Sequence, residues 1–140
     1  MRTKRHDMLR APIKGHWFRM TLSGEKQEEY RDITDYWITR IANVIGIDRQ
    51  DVIKTAEVGN VEFDFMLTMG YGNDCPHLRS HVVLGIGIGN PAWGASGQKQ
   101  FIFRHRFFKQ VCFGQNRKTA GQLEKVFFEG CLPESIGEKQ

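Results

Sequence analysis

Apolar residues recur at helical spacing in two stretches near the start of the chain. The first covers residues 16–23 and is followed by Gly24, and glycine readily takes the left-handed conformation that ends many helices. The second runs from Asp35 to Ile45 with the i, i+3, i+4, i+7 spacing of an amphipathic helix, and Thr34 or Asp35 suits its N-cap. The pattern therefore predicts two helices, over residues 16–23 and 35–45.

Other segments alternate apolar and polar residues, which is the period of a half-buried β-strand. The segments with strand character are residues 28–31, 58–69, 81–88 and 99–108. Residues 46–55 are typical of a loop or the end of a helix. In this order the elements fit an α+β fold, a small β-barrel flanked by short helices.

With 140 residues, the chain has the commonest size for one domain. We expect a flexible basic arm over residues 1–10, a single domain over residues 11–130 and a polar tail over residues 131–140. No apolar run is long enough to span a membrane, and the first residues are charged where a signal sequence would be apolar. These features predict a cytoplasmic protein with no membrane partner.

Metal-binding and cofactor-binding motifs are weak in this sequence. The three cysteines are widely spaced and include no Cys-x-x-Cys pair: Cys75, Cys112 and Cys131. His77 and His81 lie four residues apart, but the surrounding residues favour a loop entering a strand over a zinc-binding helix. The segment from Gly85 to Gly89, Gly-Ile-Gly-Ile-Gly, lacks the glycine spacing and following helix of a dinucleotide-binding turn, and it indicates close packing at a tight barrel wall. We therefore predict no metal ion and no cofactor.

The charge of the chain favours a polyanionic partner, because lysine and arginine outnumber aspartate and glutamate by 20 to 16. Basic and aromatic residues also interleave in one segment: Phe101, Phe103, Arg104, His105, Arg106, Phe107, Phe108 and Lys109. Two interpretations stay open. The rings could stack on bases while the cations bind phosphates, or the phenylalanines could fill the core while the charges face water.

A charged pattern, Gly-x-Lys-x-x-Glu-x-Arg, follows the first predicted helix at Gly24, Lys26, Glu29 and Arg31. Lysine offers a mobile point charge, arginine a planar fork suited to a phosphate or a base edge, and glutamate an acceptor for either. Such groups are costly to bury unless they pair with one another, so we expect them to ring a cleft. The alternative is a solvated network on the surface.

The same pattern resembles the signature of ASCH domains, a branch of the PUA-like superfamily whose β-barrels are linked to RNA binding and RNA-related chemistry. Lys26, Glu29 and Arg31 match the charged positions of the family, and Gly24 matches its turn glycine. Three further segments resemble small ASCH-like proteins of phages and bacteria: Tyr36-Trp37-Ile38-Thr39-Arg40, Gly70-Tyr71-Gly72 and Trp93-Gly94-Ala95. The resemblance covers about residues 12–108 and implies a PUA-like barrel.

We therefore expect a domain that binds RNA or a nucleotide, with RNA, another single-stranded nucleic acid or a modified nucleoside as its partner. The expected ligand-binding residues are Lys14, Lys26, Glu29, Arg31, Tyr71 and Trp93. Tyr71 or Trp93 would stack on bases, whereas Trp17 and Trp37 are expected in the core.

Two other classes of function stay open. In a hydrolase acting on RNA or a modified nucleoside, Lys26 would be a general base or electrostatic stabiliser and Glu29 a proton shuttle. Some ASCH-like proteins resemble amidohydrolases of this kind, but there a threonine proposed as the nucleophile stands at the position of Glu29. In an adaptor, the barrel would recruit another protein.

Overall fold

A computed structural model of the protein describes residues 7–70, 75–113 and 116–119, the last of these by their backbone. The helices are α1 (Gly15–Leu22), α2 (Asp35–Ile45) and α3 (Val52–Val58), with short 3-10 helices at Arg49–Asp51 and Pro91–Trp93. The strands are β1 (Met8–Ile13), β2 (Glu28–Arg31), β3 (Glu62–Met69), β4 (His77–Ile88), β5 (Lys99–Phe113) and β6 (Asn116–Thr119). None of the helices in these ranges is long and apolar enough to cross a membrane.

Five strands form one mixed sheet in the order β1-β3-β4-β5-β2, and the short β6 pairs with the last part of β5. β1 runs parallel to β3, and the other pairs are antiparallel. The predicted α+β class is confirmed. Within the described residues, however, β1 and β2 are the two edges of the sheet, so strand pairing does not close it into the predicted barrel.

The hydrophobic core includes one face of the sheet and residues from all three helices. Alternate residues of β3 and β5 supply its aromatic centre: Phe63, Phe65, Phe101 and Phe103. The rings of Phe65 and Phe103 stack with their centroids 4.9 Å apart. Alternation therefore predicted the buried face of these strands correctly.

Both predicted helices are confirmed, α2 with the predicted bounds and α1 one residue earlier. The side chain of Thr34 caps α2 by accepting a hydrogen bond from the backbone N–H of Trp37. Gly46 ends the helix in the left-handed conformation, with φ of 85°.

Several element boundaries differ from the prediction, since β4 begins at His77 instead of residue 81 and β5 continues to Phe113 instead of ending at residue 108. Part of the segment 46–55, expected as a loop or helical end, belongs to α3, whose residues Val52 and Ala56 lie one turn apart and are buried. The strand predicted over 58–69 begins at Glu62, because α3 continues to Val58 and Gly59 ends it with φ of 76°.

The predicted basic arm over residues 1–10 is too long, because Met8 to Arg10 already belong to β1. Leu9 is buried there, and the strand pairs with β3 from Met8 opposite Asp64 onwards. The segment is short and its few apolar residues stand between charged ones, so the sequence showed no alternation from which a strand could be predicted. Residues 1–6 and the predicted tail over 131–140 lie outside the described residues.

Two arginines join α2 and β2 to the outer edge of β1. Arg31 donates from Nη2 to the carbonyl of Pro12 at 2.8 Å, and Arg40 donates from Nη2 to the carbonyl of Arg10 at 2.9 Å. Both guanidinium groups lie over the ring of Trp37, at 5.3 Å and 5.5 Å from its centre. Side chains thus satisfy carbonyls of an edge strand that has no neighbour there within the described residues. We call this arrangement of Arg31, Trp37 and Arg40 the arginine seam.

Candidate functional site

The charged motif lies where α1 turns into β2, beside the arginine seam. Gly24 takes φ of 87° after the helix, and the backbone N–H of Lys26 then bonds back to the carbonyl of Met20 at 2.9 Å. In β2, Glu29 pairs with Phe103 and Arg31 with Phe101, and both phenylalanines are fully buried. Glu29 and Arg31 therefore project from the core side of the sheet, on one face as predicted.

Glu29 forms ion pairs with both cations of the motif. Its Oε1 lies 2.6 Å from Nζ of Lys26, and its Oε2 pairs with Nη1 of Arg31. Lys26 also donates to the carbonyl of Glu28. Only 2% of Lys26 and 4% of Glu29 are exposed, so the alternative of a solvated surface network is wrong.

Burial lowers the pKa of Lys26 from its ordinary value of 10.5, although the neighbouring carboxylate of Glu29 acts to raise it. The positive charge of Arg31 lowers the pKa of Lys26 further. Two cations share one carboxylate, so this group of Lys26, Glu29 and Arg31 has an excess of positive charge when all three are ionised.

The three residues line a pocket of about 220 Å³. Lys14, Trp93 and Trp17 also line it, together with Pro12, Ile13, Tyr30 and Gly94. The structure therefore brings together every predicted ligand-binding residue that it describes: Lys14, Lys26, Glu29, Arg31 and Trp93. Tyr71 lies outside the described residues. Trp17 lies half-buried in the wall of this pocket instead of in the core, and Trp37 packs against the core as expected.

Tyr30 attaches the loop that carries Trp93 to β2. Its hydroxyl accepts a hydrogen bond from the backbone N–H of Asn90 at 3.0 Å and donates one to Glu28 at 2.8 Å. The loop can approach the ring because residue 89 is glycine: a Cβ there would lie 2.3 Å from Cε1 of Tyr30. The prediction of close packing along the Gly-Ile segment is confirmed at Gly89.

The indole of Trp17 lies against the same loop at Gly94. A Cβ added to Gly94 would lie 3.3 Å from the indole of Trp17, and Gly94 has φ of 98°. Two indoles thus lie at the pocket, one from α1 and one from the loop after β4. Helical spacing placed Trp17 among the apolar positions of α1, but it could not show that this residue of the first turn lines the pocket instead of the core.

His105 is a half-buried titratable group close to this site that the sequence did not single out as a site residue. Its Nδ1 lies 2.7 Å from Oγ of Ser80, and its Nε2 is buried with no hydrogen-bond partner among the described residues. Burial, and to a smaller extent the charge of Lys26, lowers the pKa of His105 to about 3. The imidazole is therefore neutral at physiological pH.

This shift predicts how stability depends on pH. The folded-state pKa of His105 is depressed, so the unfolded chain takes up its proton first and stability is lost as the pH falls from about 6.5 towards about 3. Between about pH 7.5 and about pH 5, His105 should account for a loss of about 2 kcal/mol in the free energy of unfolding. Urea denaturation of wild type and His105→Gln at both pH values measures this loss, because glutamine cannot titrate and the variant therefore lacks the contribution of His105.

His16→Gln is the matched control, since His16 is exposed. Its pH dependence should follow wild type, whereas that of His105→Gln should be flatter by about 2 kcal/mol. Equal pH dependence in all three proteins would contradict the depressed pKa.

No protein-family model, curated protein or solved structure matches this chain. Within the described residues, no group of three or more histidine, cysteine, aspartate or glutamate side chains is placed to hold a metal ion. His77 and His81 both lie on β4, so the predicted absence of a helix here is confirmed, whereas His77 belongs to the strand and not to the loop expected before it. The residues that line the pocket include three cations, the carboxylate of Glu29 and two indoles.

Proposed function

We propose that the pocket binds one nucleotide unit of RNA, or a modified nucleoside, in a PUA-like domain of the ASCH type. One observation carries the proposal: Lys14, Lys26 and Arg31 share a pocket with a single carboxylate and with the indoles of Trp17 and Trp93. Cations bind phosphate oxygens, and indoles stack on bases of any sequence. The ASCH resemblance supports the same class of ligand.

The volume of the pocket favours binding of one small part of a larger ligand. At about 220 Å³ it is below the roughly 300–1,000 Å³ of sites for drug-sized molecules. A single base with part of its sugar suits this volume better than a run of stacked bases does. RNA would therefore place one exposed nucleotide in the pocket, as proteins do when they read unpaired bases.

The cations of the pocket are not equally available to a phosphate. Arg31 already donates to Glu29, to the carbonyl of Tyr30 and to the carbonyl of Pro12. Lys26 is buried and donates to two oxygens. Lys14 is exposed at the mouth of the pocket, so it is the best probe of a phosphate contact.

Removing the indole of Trp93 should weaken binding of a labelled single-stranded RNA by about 5- to 100-fold, because stacking contributes about 1–3 kcal/mol per base. Trp93→Phe keeps an aromatic face and should retain most of the affinity lost in Trp93→Ala.

Lys14→Gln should lower the slope of log affinity against log salt by about 0.7. Fluorescence anisotropy against a panel of RNAs and modified nucleosides, at several salt concentrations, measures all three.

Lys54→Gln is the control for Lys14→Gln, because Lys54 is exposed on α3 and its substitution removes the same charge outside the pocket. Its slope should equal that of wild type. Binding that survives Trp93→Ala unchanged, or equal slopes for the two lysine variants, would refute the proposal.

The lowered pKa of Lys26 favours hydrolysis as a second candidate function, since a lysine that loses its proton more easily is a better general base. In this chain, both carboxylate oxygens of Glu29 are occupied by Lys26 and Arg31, and no threonine stands in its place. The same panel of RNAs and nucleosides, analysed for cleavage products, separates the two functions. Products formed by wild type and absent with Lys26→Met would support an enzyme, and intact substrate throughout would support a binding domain.

A further inference from the structure

The outer face of β3, β4 and β5, opposite the core, carries an exposed aromatic ring. Phe107 is 53% exposed, whereas Phe101 and Phe103 of the same strand are buried. Its ring stacks on the imidazole of His81 from β4, with centroids 5.1 Å apart and planes 14° from parallel. The interpretation that the phenylalanines fill the core is therefore confirmed for Phe101 and Phe103 and wrong for Phe107.

Irregular strand pairing places this ring between two cations. His81 and Val82 of β4 pair with Phe107 and His105, which leaves Arg106 without a partner in that register. Ser80 and Arg79 pair with Phe108 and Gln110, which likewise leaves out Lys109. Such bulges turn side chains away from the regular alternation and recur beside functional sites.

A network of hydrogen bonds and ion pairs lies beneath the ring of Phe107. The two nitrogens of His81 lie 3.0 Å from Glu62 and 3.0 Å from Asp64. Arg106 pairs with Glu62 at 2.8 Å, and Lys109 pairs with Asp64 at 2.8 Å. The contacts hold the imidazole against the phenyl ring and give that ring a defined orientation.

The same network leaves this face positively charged. Asp64 also pairs with Arg79 at 3.4 Å. Arg79, Arg106 and Lys109 therefore share the two carboxylates of Glu62 and Asp64. Burial acts to raise the pKa of Asp64, but hydrogen bonds from His81 and Lys109 outweigh it and keep this pKa below its ordinary value. Arg104, on the same strand, is exposed and adds a further positive charge.

We infer that this outer face is a second contact site for single-stranded nucleic acid, with a base stacked on Phe107 and phosphates on Arg106 and Lys109. A single-stranded nucleic acid has flat bases and a regular negative charge. The exposed ring of Phe107 can stack on such a base, and the cations on either side of it can bind the phosphates. An acidic protein would satisfy the cations but has no need of the ring. The inference takes its ligand class from the proposed function, and it uses none of the residues of the pocket.

The test uses the full chain and a labelled single-stranded RNA of mixed sequence and about 20 nucleotides, longer than the roughly 4–16 nucleotides that small binding domains cover. Phe107→Ala should weaken binding by about 5- to 100-fold, and Phe107→Trp should restore it. Val58→Ala removes another exposed apolar side chain, on α3, and should leave the affinity unchanged.

The charge is tested with two arginines in similar surroundings. Arg106 and Arg49 are each about half exposed and each pairs with one carboxylate, at 2.8 Å and 2.9 Å. Arg106→Gln should lower the salt slope of binding by about 0.7, whereas Arg49→Gln should not change it. Photocrosslinking of halogenated uridine in the same RNA, mapped by mass spectrometry on wild type, should label the peptide that contains Phe107.

The outcomes separate this face from the pocket. If Trp93→Ala weakens binding and Phe107→Ala does not, the inference is overturned and the pocket proposal stands. If Phe107→Ala weakens binding and Trp93→Ala does not, this face binds RNA and the pocket proposal fails. An effect of Arg106→Gln without one of Phe107→Ala, or crosslinks without the Phe107 peptide, would show a general polyanion surface and also overturn the stacking site.

Discussion

Replacing Glu29 with glutamine should lower the free energy of unfolding by about 3–5 kcal/mol, because it removes the carboxylate that pairs with both Lys26 and Arg31, of which the first is buried and the second half-buried. An amide can accept from Lys26 or from Arg31, but its NH₂ group then faces the other cation. Urea denaturation measures the loss. Glu25→Gln is the control, since Glu25 is exposed in the same loop and should change the value by less than about 0.5 kcal/mol.

A second substitution tests the cause of this loss. Adding Lys26→Met to Glu29→Gln removes the buried ammonium group that has lost its counterion, so the double variant should be more stable than Glu29→Gln alone. Equal losses in Glu29→Gln and Glu25→Gln, or a double variant that is less stable by the sum of the two single losses, would contradict the ion-pair account.

Substituting Gly89 with alanine should destabilise the protein by about 3 kcal/mol, because the new Cβ would lie 2.3 Å from Cε1 and 2.5 Å from Cζ of the Tyr30 ring. The ring has little room to retreat, since Tyr30 is 5% exposed and its hydroxyl is bonded to Asn90 and Glu28. Thermal or urea denaturation measures the effect. The loop that carries Trp93 would be displaced too, so the RNA affinity that we propose for the pocket should fall together with stability.

Gly85→Ala is the matched control in the same Gly-Ile segment. A Cβ at this position meets its nearest atom, the carbonyl oxygen of Ile102, at an ordinary 3.9 Å. Stability should stay the same or rise by up to about 1 kcal/mol, because alanine has less conformational freedom to lose on folding. Equal stabilities for the two variants would mean that Tyr30 does not fix this loop.

The parts of the fold that local periodicity encodes could be predicted from the sequence. The spacing in α2 and the alternation in β3 and β5 gave the correct elements, because each has enough apolar residues to show its period. β1 and α3 could not be predicted in this way. Each buries two residues of a short segment, and β1 is stabilised by pairing with a strand that lies far along the chain.

The candidate site divides in a similar way. Lys26, Glu29 and Arg31 lie within one short motif, and the cost of burying charges indicated that they would meet. That His105 lies close to Lys26 depends on the pairing of β5 with β2, next to which the backbone N–H of His105 donates to the carbonyl of Gln27 at 3.0 Å. Such long-range geometry leaves no mark in local spacing, so this histidine could not be assigned to the site from sequence.

The arginine seam connects the attachment of the first strand to the pocket. Arg31 serves both, because the guanidinium group that reaches into the pocket also bonds to the carbonyl of Pro12. A ligand of the proposed kind that drew Arg31 towards itself would loosen β1, and a loosened β1 would release Arg31 for that ligand. By thermodynamic reciprocity the two effects would be equal in free energy, so a pull on the N-terminal strand would change the affinity of the pocket for the proposed ligand.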